Sequence, residues 1–216
     1  MKVGTDGVLL GAWANYHNPK NILDIGTGTG LIALMLAQRY PIASIQAIEI
    51  EKNAFEKALL NFKKSNWNER IEIFHTPLQN FNPQTNYDLI ACNPPYFEEK
   101  VMTNSPQRQW ARQDVKMKLD DLFLFASKHL TEEGNLSLIY PKDKETGLIE
   151  TSEKYELYPQ KILNIKGNNN AKTKRILISF GRKETTIIKE ELIIETKRHC
   201  YTTAYKELVK DFYLKM

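Results

Sequence analysis

One run of residues, Asp24-Ile25-Gly26-Thr27-Gly28-Thr29-Gly30, constrains this chain more than any other. It closes an apolar stretch, Asn21–Ile25, that reads as a short buried strand, and it opens Leu31–Arg39, a Leu-, Ala- and Met-rich stretch that reads as a helix. Glycines at such a junction let the chain turn tightly and let a ligand approach the backbone. Strand, glycine turn and helix together are the opening unit of a parallel α/β sheet. The rest of the chain keeps that alternation. Ser44–Ile50, Ile71–His75 and Tyr87–Cys92 read as further strands, and Asn135–Tyr140 as another opened by Gly134. Lys52–Ser65 reads as a helix with an apolar stripe of Ala54, Phe55, Ala58, Leu59 and Phe62, and Asp120–Leu130 as a second. Strands spaced by helices predict a doubly wound, mostly parallel sheet. After Lys142 the pattern changes: Gln160–Ile165 and Arg175–Phe180 read as two strands joined by a polar loop, which predicts an antiparallel hairpin at the C-terminal side. The expected sheet has seven strands, with Thr186–Glu195 a candidate edge strand and Thr203–Tyr213 a terminal helix. Residues 1–216 read as a single domain.

The glycine loop indicates a ligand type. The dinucleotide fingerprint needs a glycine at position 31, where this chain has Leu31. The loop fits D-x-G-x-G-x-G instead, which has no need to cradle a pyrophosphate. Asp24 places a carboxylate at the strand end, suited to a ligand's amino group directly or through water. Gly26, Thr27 and Gly28 line the approach. Glu49 ends the second strand about 20 residues later, where an acid can accept both ribose hydroxyls of a nucleoside. Glu51 is its nearest competitor.

Asn93-Pro94-Pro95-Tyr96 follows the apolar strand Tyr87–Cys92 directly, at the carboxyl edge where α/β proteins bind ligands. An exocyclic amine on a base is a poor nucleophile, because its lone pair is delocalised into the ring. Two acceptors on its two hydrogens orient that lone pair and stabilise the charge that develops. The Asn93 side-chain oxygen is one acceptor, and the Pro94 carbonyl is the other candidate. Each proline stiffens the residue before it. Tyr96 offers a ring to stack on the base, and Phe97 extends that wall.

Composition excludes several classes. No apolar run approaches the roughly 20 residues that span a bilayer. Two cysteines, Cys92 and Cys200, cannot make a disulfide framework, and no Cys or His spacing suggests a metal site, so none is expected. An intracellular, cytoplasmic location follows. The net charge of +4 says little alone, but basic residues cluster at Arg108 and Arg112, and at Lys172, Lys174 and Arg175. Such clusters suit a nucleic-acid backbone if they share a face.

These residues resemble the Asn-Pro-Pro-Tyr branch of the S-adenosylmethionine-dependent methyltransferases. The segment Lys2–Trp13, the stretch Leu34–Arg39, Pro106-Gln107-Arg108 with Ala111-Arg112, Thr131–Gly134 and Phe212-Tyr213-Leu214 are similar to the bacterial valine-tRNA adenine(37)-N6 methyltransferases along nearly the whole chain. The resemblance implies a Rossmann-like class I methyltransferase fold, S-adenosylmethionine as cofactor, S-adenosylhomocysteine as product, and tRNA as substrate. It also implies that Thr5 and Asp6 lie near the methionine end of the cofactor. From the residues alone, Thr5 or Asp6 could equally cap a helix over Val8–Ala14. The tetrapeptide is shared with ribosomal RNA guanine and protein glutamine methyltransferases, which stay as alternative substrates. A non-catalytic RNA- or nucleotide-binding module is the alternative of another class, and the intact Asn93–Tyr96 argues against it. The chain departs from the family in two places. Relatives carry a further segment before the lysine matching Lys2, which suggests a shortened N-terminus. Relatives often have an aspartate after the third strand, near the cofactor's adenine. Here the stretch is His75-Thr76-Pro77-Leu78-Gln79, and backbone groups or Gln79 are the candidate substitutes.

Overall fold

The computed structural model describes residues 4–94 and 117–213. The helices are α1 (Thr5–Trp13), α2 (Leu31–Arg39), α3 (Lys52–Lys64), α4 (Leu119–His129), α5 (Glu145–Glu153) and α6 (Thr203–Val209). The strands are β1 (Asn21–Ile25), β2 (Ser44–Glu49), β3 (Ile71–His75), β4 (Tyr87–Cys92), β5 (Leu130–Pro141), β6 (Tyr158–Asn168), β7 (Arg175–Gly181), β8 (Ile188–Lys197) and β9 (Cys200–Tyr201). They form one sheet in the order β3-β2-β1-β4-β5-β7-β6-β8-β9. Strands β1 to β5 pair in parallel, and β7 runs antiparallel to both β5 and β6. The expected architecture is therefore present, with nine strands among the described residues where seven were expected. The difference is β8, which pairs in parallel with β6 near the anticipated edge position, and the two-residue β9.

Alternation along the central strands divides the core between two faces. Ile22, Leu89 and Ala91 pack with α1, α2 and α6, whereas Leu23, Ile25, Ile90 and Cys92 pack with α4 and α5. Because β1 and β4 are covered on both faces, they read as continuous apolar runs rather than alternating ones.

Four local expectations are corrected. Helix α5 was not expected: Thr146, Gly147, Thr151 and Ser152 are weak helix formers, and only Leu148 and Ser152 of the helix are buried. Strand β5 begins at Leu130, ahead of Gly134. A Cβ at Gly134 would lie 2.7 Å from the Tyr87 carbonyl oxygen, so that glycine admits the neighbouring backbone instead of starting the strand. Neither Thr5 nor Asp6 caps α1; Gly4 occupies the N-cap without a side-chain bond, and Asp6 is engaged elsewhere. The terminal helix also ends earlier than expected, with a 3-10 turn at Lys210–Phe212.

Register sets what shares an edge. Ile25 pairs with Ile48 and with Cys92, and Cys92 pairs with Leu138. Gly26 and Asn93, which follow β1 and β4, and Glu49, which ends β2, thus meet at the carboxyl edge. Antiparallel pairing of Arg175 with Pro141 brings the β6–β7 hairpin to that edge too.

Gly30 ties the loop after β1 to the core. It has φ +89°, and a Cβ there would sit 2.4 Å from Cε1 of Phe62, a ring only 2% exposed. Gly26 has φ +68°, with nothing within 4 Å of the same construction. Gly30→Ala should then cost about 2–4 kcal/mol, from left-handed strain plus overpacking, and Gly26→Ala about 1–2 kcal/mol from strain alone. Urea unfolding of the two variants measures the difference; equal losses would show that the Phe62 contact is unimportant.

Candidate active site

The loop after β1 is held by its own amides. Gly26 and Thr27 donate to the Ile48 carbonyl at 3.0 and 3.1 Å, Gly30 donates to the Thr27 carbonyl at 3.0 Å, and Gly28 donates to Oε2 of Glu49 at 2.8 Å. Those four N–H groups are spent inside the protein, so the loop is not an anion cradle of the kind that binds a pyrophosphate. Asp24 lies beneath it, fully buried. Its Oδ2 accepts from Thr27 Oγ1 at 2.6 Å and from the Ala33 amide at 3.1 Å. Its Oδ1 is shielded from water and has no hydrogen-bond partner among the described residues. Burial pushes the Asp24 carboxyl up to about 7, and the nearby Glu49 adds to the rise, against the two bonds to Oδ2. Thr27 acts by orienting Asp24 and by turning its hydroxyl inward. The same burial, with Asp24 beside it, pushes the Cys92 thiol well up, so Cys92 packs as an unreactive apolar group.

Glu49 is 8% exposed at the tip of β2. Oε1 accepts from the Ile50 and Glu51 amides, both at 2.8 Å, and Oε2 accepts only the Gly28 amide among the described residues. A carboxylate oxygen has about two acceptor sites, so Oε2 keeps capacity for a hydroxyl donor. The competitor Glu51 is committed to capping α3. It accepts from the Asn53 and Ala54 amides at 3.0 and 2.8 Å, and these bonds hold its carboxyl below the usual range. Beside Glu49, the Thr76 amide donates to the Glu49 carbonyl, and His75 stacks on Phe55 with ring centroids 5.0 Å apart. Gln79 Nε2 donates to Asp121 Oδ2 at 2.8 Å, so the amide is oriented by the first turn of α4.

Asn93 is half-buried just beyond β4, and Pro94 is buried. Pro95, Tyr96, Phe97, Arg108 and Arg112 lie outside the described residues. Lys172 and Lys174 are exposed on the β6–β7 hairpin at the same edge. Arg175 differs from them: its Nε reaches Oδ2 of Asp6 at 3.1 Å, and its Nη1 donates to the Lys174 carbonyl at 3.2 Å. Thr5 and Asp6 thus arrive at this edge on α1, with Asp6 held by Arg175. Sequence reasoning missed this pair. Its members are 169 residues apart, and no local pattern links them.

The site therefore combines a buried carboxylate with one unsatisfied oxygen, a second acid with spare acceptor capacity, an open glycine turn and an asparagine at one sheet edge. Among the described residues no group of three His, Cys, Asp or Glu side chains is placed to hold a metal ion, and no helix is long and apolar enough to cross a membrane.

Residues 4–150 match the family model of the methyltransferase small domain. In fold, a predicted O-methyltransferase from Agrobacterium tumefaciens aligns with TM-score 0.74 and 20% identity over 95% of this chain and 96% of its own. An O-methyltransferase domain of a Brevibacillus brevis polyketide multienzyme, solved with S-adenosyl-L-homocysteine, aligns with TM-score 0.54 and 21% identity over 73% of this chain and 52% of its own. In sequence, the tRNA1(Val) (adenine(37)-N6)-methyltransferase of Flavobacterium psychrophilum is 48% identical over 219 aligned residues, covering 100% of this chain and 94% of the relative. With such identity along its full length, the chain belongs to the family of tRNA1(Val) (adenine(37)-N6)-methyltransferases.

Proposed function

We propose that this enzyme transfers a methyl group from S-adenosylmethionine to the exocyclic N6 of adenine 37 in a valine tRNA. The observation that carries this reading is the register that sets Asn93 beside the Asp24–Glu49 loop, in a chain 48% identical to a relative of that name.

The residues fit the cofactor. The partnerless Oδ1 of Asp24 is a buried acceptor suited to an ammonium group, directly or through water. Oε2 of Glu49 has capacity for a ribose hydroxyl, and Gly26 leaves open space where a side chain would stand. Gln79 is the candidate for the adenine in place of the absent aspartate. With its Nε2 donating to Asp121, its other end is the carbonyl oxygen, the polarity that accepts from a 6-amino group. When bound, S-adenosylmethionine supplies an electrophilic methyl on a sulfonium centre.

Asn93 and Pro94 do the rest. Oδ1 of Asn93 accepts one hydrogen of the target amine and the Pro94 carbonyl accepts the other, turning the nitrogen lone pair toward the methyl. The N–C bond forms as the C–S bond breaks, and the amine proton passes to water once the nitrogen has lost its lone pair. No strong base is needed, because the amine becomes acidic as it is methylated. Positioning and charge complementarity supply most of the acceleration. The stacked base must be splayed into the site, where Tyr96 is its stacking partner. Lys172 and Lys174 face the incoming RNA.

Asn93→Ala should lower single-turnover methylation of unmodified valine tRNA by roughly a hundredfold or more, with S-adenosylhomocysteine affinity retained. A near-parental rate would reduce the tetrapeptide to a structural turn. Asp24 makes cofactor affinity depend on pH. Its folded carboxyl is raised to about 7, and binding an ammonium requires the ionised form. Above pH 7 affinity should level off; below, a proton must leave first, and affinity should fall by up to about tenfold per unit. Calorimetry between pH 5.5 and 8.5 checks this, and a flat profile would place Asp24 away from the cofactor. Replacing Lys172 and Lys174 by alanine should reduce the salt dependence of tRNA binding by about one unit of slope for each lost contact. An unchanged slope would make that hairpin an ordinary solvated loop.

A further inference from the structure

Helix α1 reaches the active edge with little support of its own. Its N-cap, Gly4, contributes no side-chain bond, and six of its nine residues are buried apolar or glycine positions, Gly7 to Ala12. Its first turn meets the start of α2: a Cβ on Gly7 would lie 3.3 Å from Cδ2 of Leu31, the residue that follows the glycine loop. Arg175 holds that same turn through Asp6, the two side chains being 35% and 31% exposed. Arg175 is itself anchored. It pairs in register with Pro141 and donates to the Lys174 carbonyl, while the Lys142 amide donates to the same carbonyl at 3.1 Å. The arginine therefore joins the rim of β5 and β7 to the turn of α1 that packs on the glycine loop.

We infer that Arg175 is a positioning residue for the cofactor site, fixing the first turn of α1 against the glycine loop through Asp6, and is not a phosphate contact like its neighbours Lys172 and Lys174. The inference rests on the functional reading above. It splits a cluster that looks uniform in sequence. Two lysines point outward to RNA, and the arginine beside them turns inward and is satisfied within the protein. A guanidinium suits that task because its planar fork donates to two acceptors at once.

The test compares Arg175→Gln, Arg175→Lys and Asp6→Asn with the parent by calorimetric titration of S-adenosylhomocysteine and by tRNA binding across a salt series. Arg175→Gln should weaken S-adenosylhomocysteine roughly threefold to tenfold, the scale of a half-exposed ion pair with an added hydrogen bond. Arg175→Lys, which keeps the charge facing Asp6 but not the fork, should recover part of that loss, and the salt slope of tRNA binding should stay at the parental value in both. Asp6→Asn removes the contact from the other side and should lower cofactor affinity in the same way, which keeps the test available if Arg175→Gln folds poorly. Parental cofactor affinity in Arg175→Gln together with a salt slope reduced by about one unit would overturn the inference and return Arg175 to the RNA surface. A loss of cofactor affinity that Arg175→Lys does not relieve would also overturn it. A parent that fails to bind S-adenosylhomocysteine at all would remove the functional reading, and this inference with it.

Discussion

The structure depends on keeping a carboxylate dry at the end of β1. A buried acid is costly unless its oxygens are bonded, and Asp24 has no exposure at all. The turn that follows is shaped to meet that need in part. Thr27 folds back to donate from its hydroxyl, and the chain enters α2 so that the Ala33 amide points at the same oxygen. Left-handed backbone at Gly26, Gly28 and Gly30 makes the reversal possible. The other oxygen has no hydrogen-bond partner among the described residues. An unsatisfied buried acceptor is a standing cost to the free protein, and a cationic ligand group that bonds it converts the cost into binding energy.

Glu49 extends the same arrangement to the next strand. Its carboxylate ties the Gly28 amide to the Ile50 and Glu51 amides, so the tip of β2 and the glycine loop move as one body. The Gly26 and Thr27 amides bind the Ile48 carbonyl and the Gly30 amide binds the Thr27 carbonyl, which makes the junction rigid before any ligand arrives. Preorganisation of this kind lowers the ordering cost of binding. It also separates this loop from phosphate-binding relatives of the same topology, where free amides are the recognition element.

Much of this was readable from sequence because it is local. β1, β3, β4 and α2 have the bounds expected of them, since each is a largely apolar run closed by a glycine, a charged residue or a polar residue leading into proline. Asp24, Glu49 and Asn93 could be singled out because each stands at or next to the end of such a run. What was hidden is what depends on distant partners. Glu49 and Glu51 look alike in sequence. Only the fold shows that Glu51 points along α3 to cap it while Glu49 points back to the loop. Helix α5 was missed because its burial comes from packing near α4 and β6, and its propensity is poor. Strand β8 is legible as the candidate edge strand at Thr186–Glu195, whereas the two-residue β9 is too short for periodicity to mark. The residues that would show Tyr96 against a base lie outside the described part of the chain.

Charge was the least readable property, and the fold explains why. The C-terminal third is rich in lysine, and some of that charge is paired: Lys161 with Glu190 and Lys166 with Glu191 between β6 and β8, and Lys183 with Glu133. These pairs are solvent-exposed and contribute little to stability. Their consequence is for the field outside the protein, since each removes a cation from the surface that a polyanion meets. Arg175 is removed in the same way by Asp6. Lys172 and Lys174 stand on the hairpin between β6 and β7, on the edge that carries Asn93. A net charge of +4 spread evenly would steer nothing in particular. Pairing along β6 and β8 instead leaves Lys172 and Lys174 without an ion-pair partner among the described residues, and under the function proposed above theirs is the side from which an RNA backbone would approach Asn93.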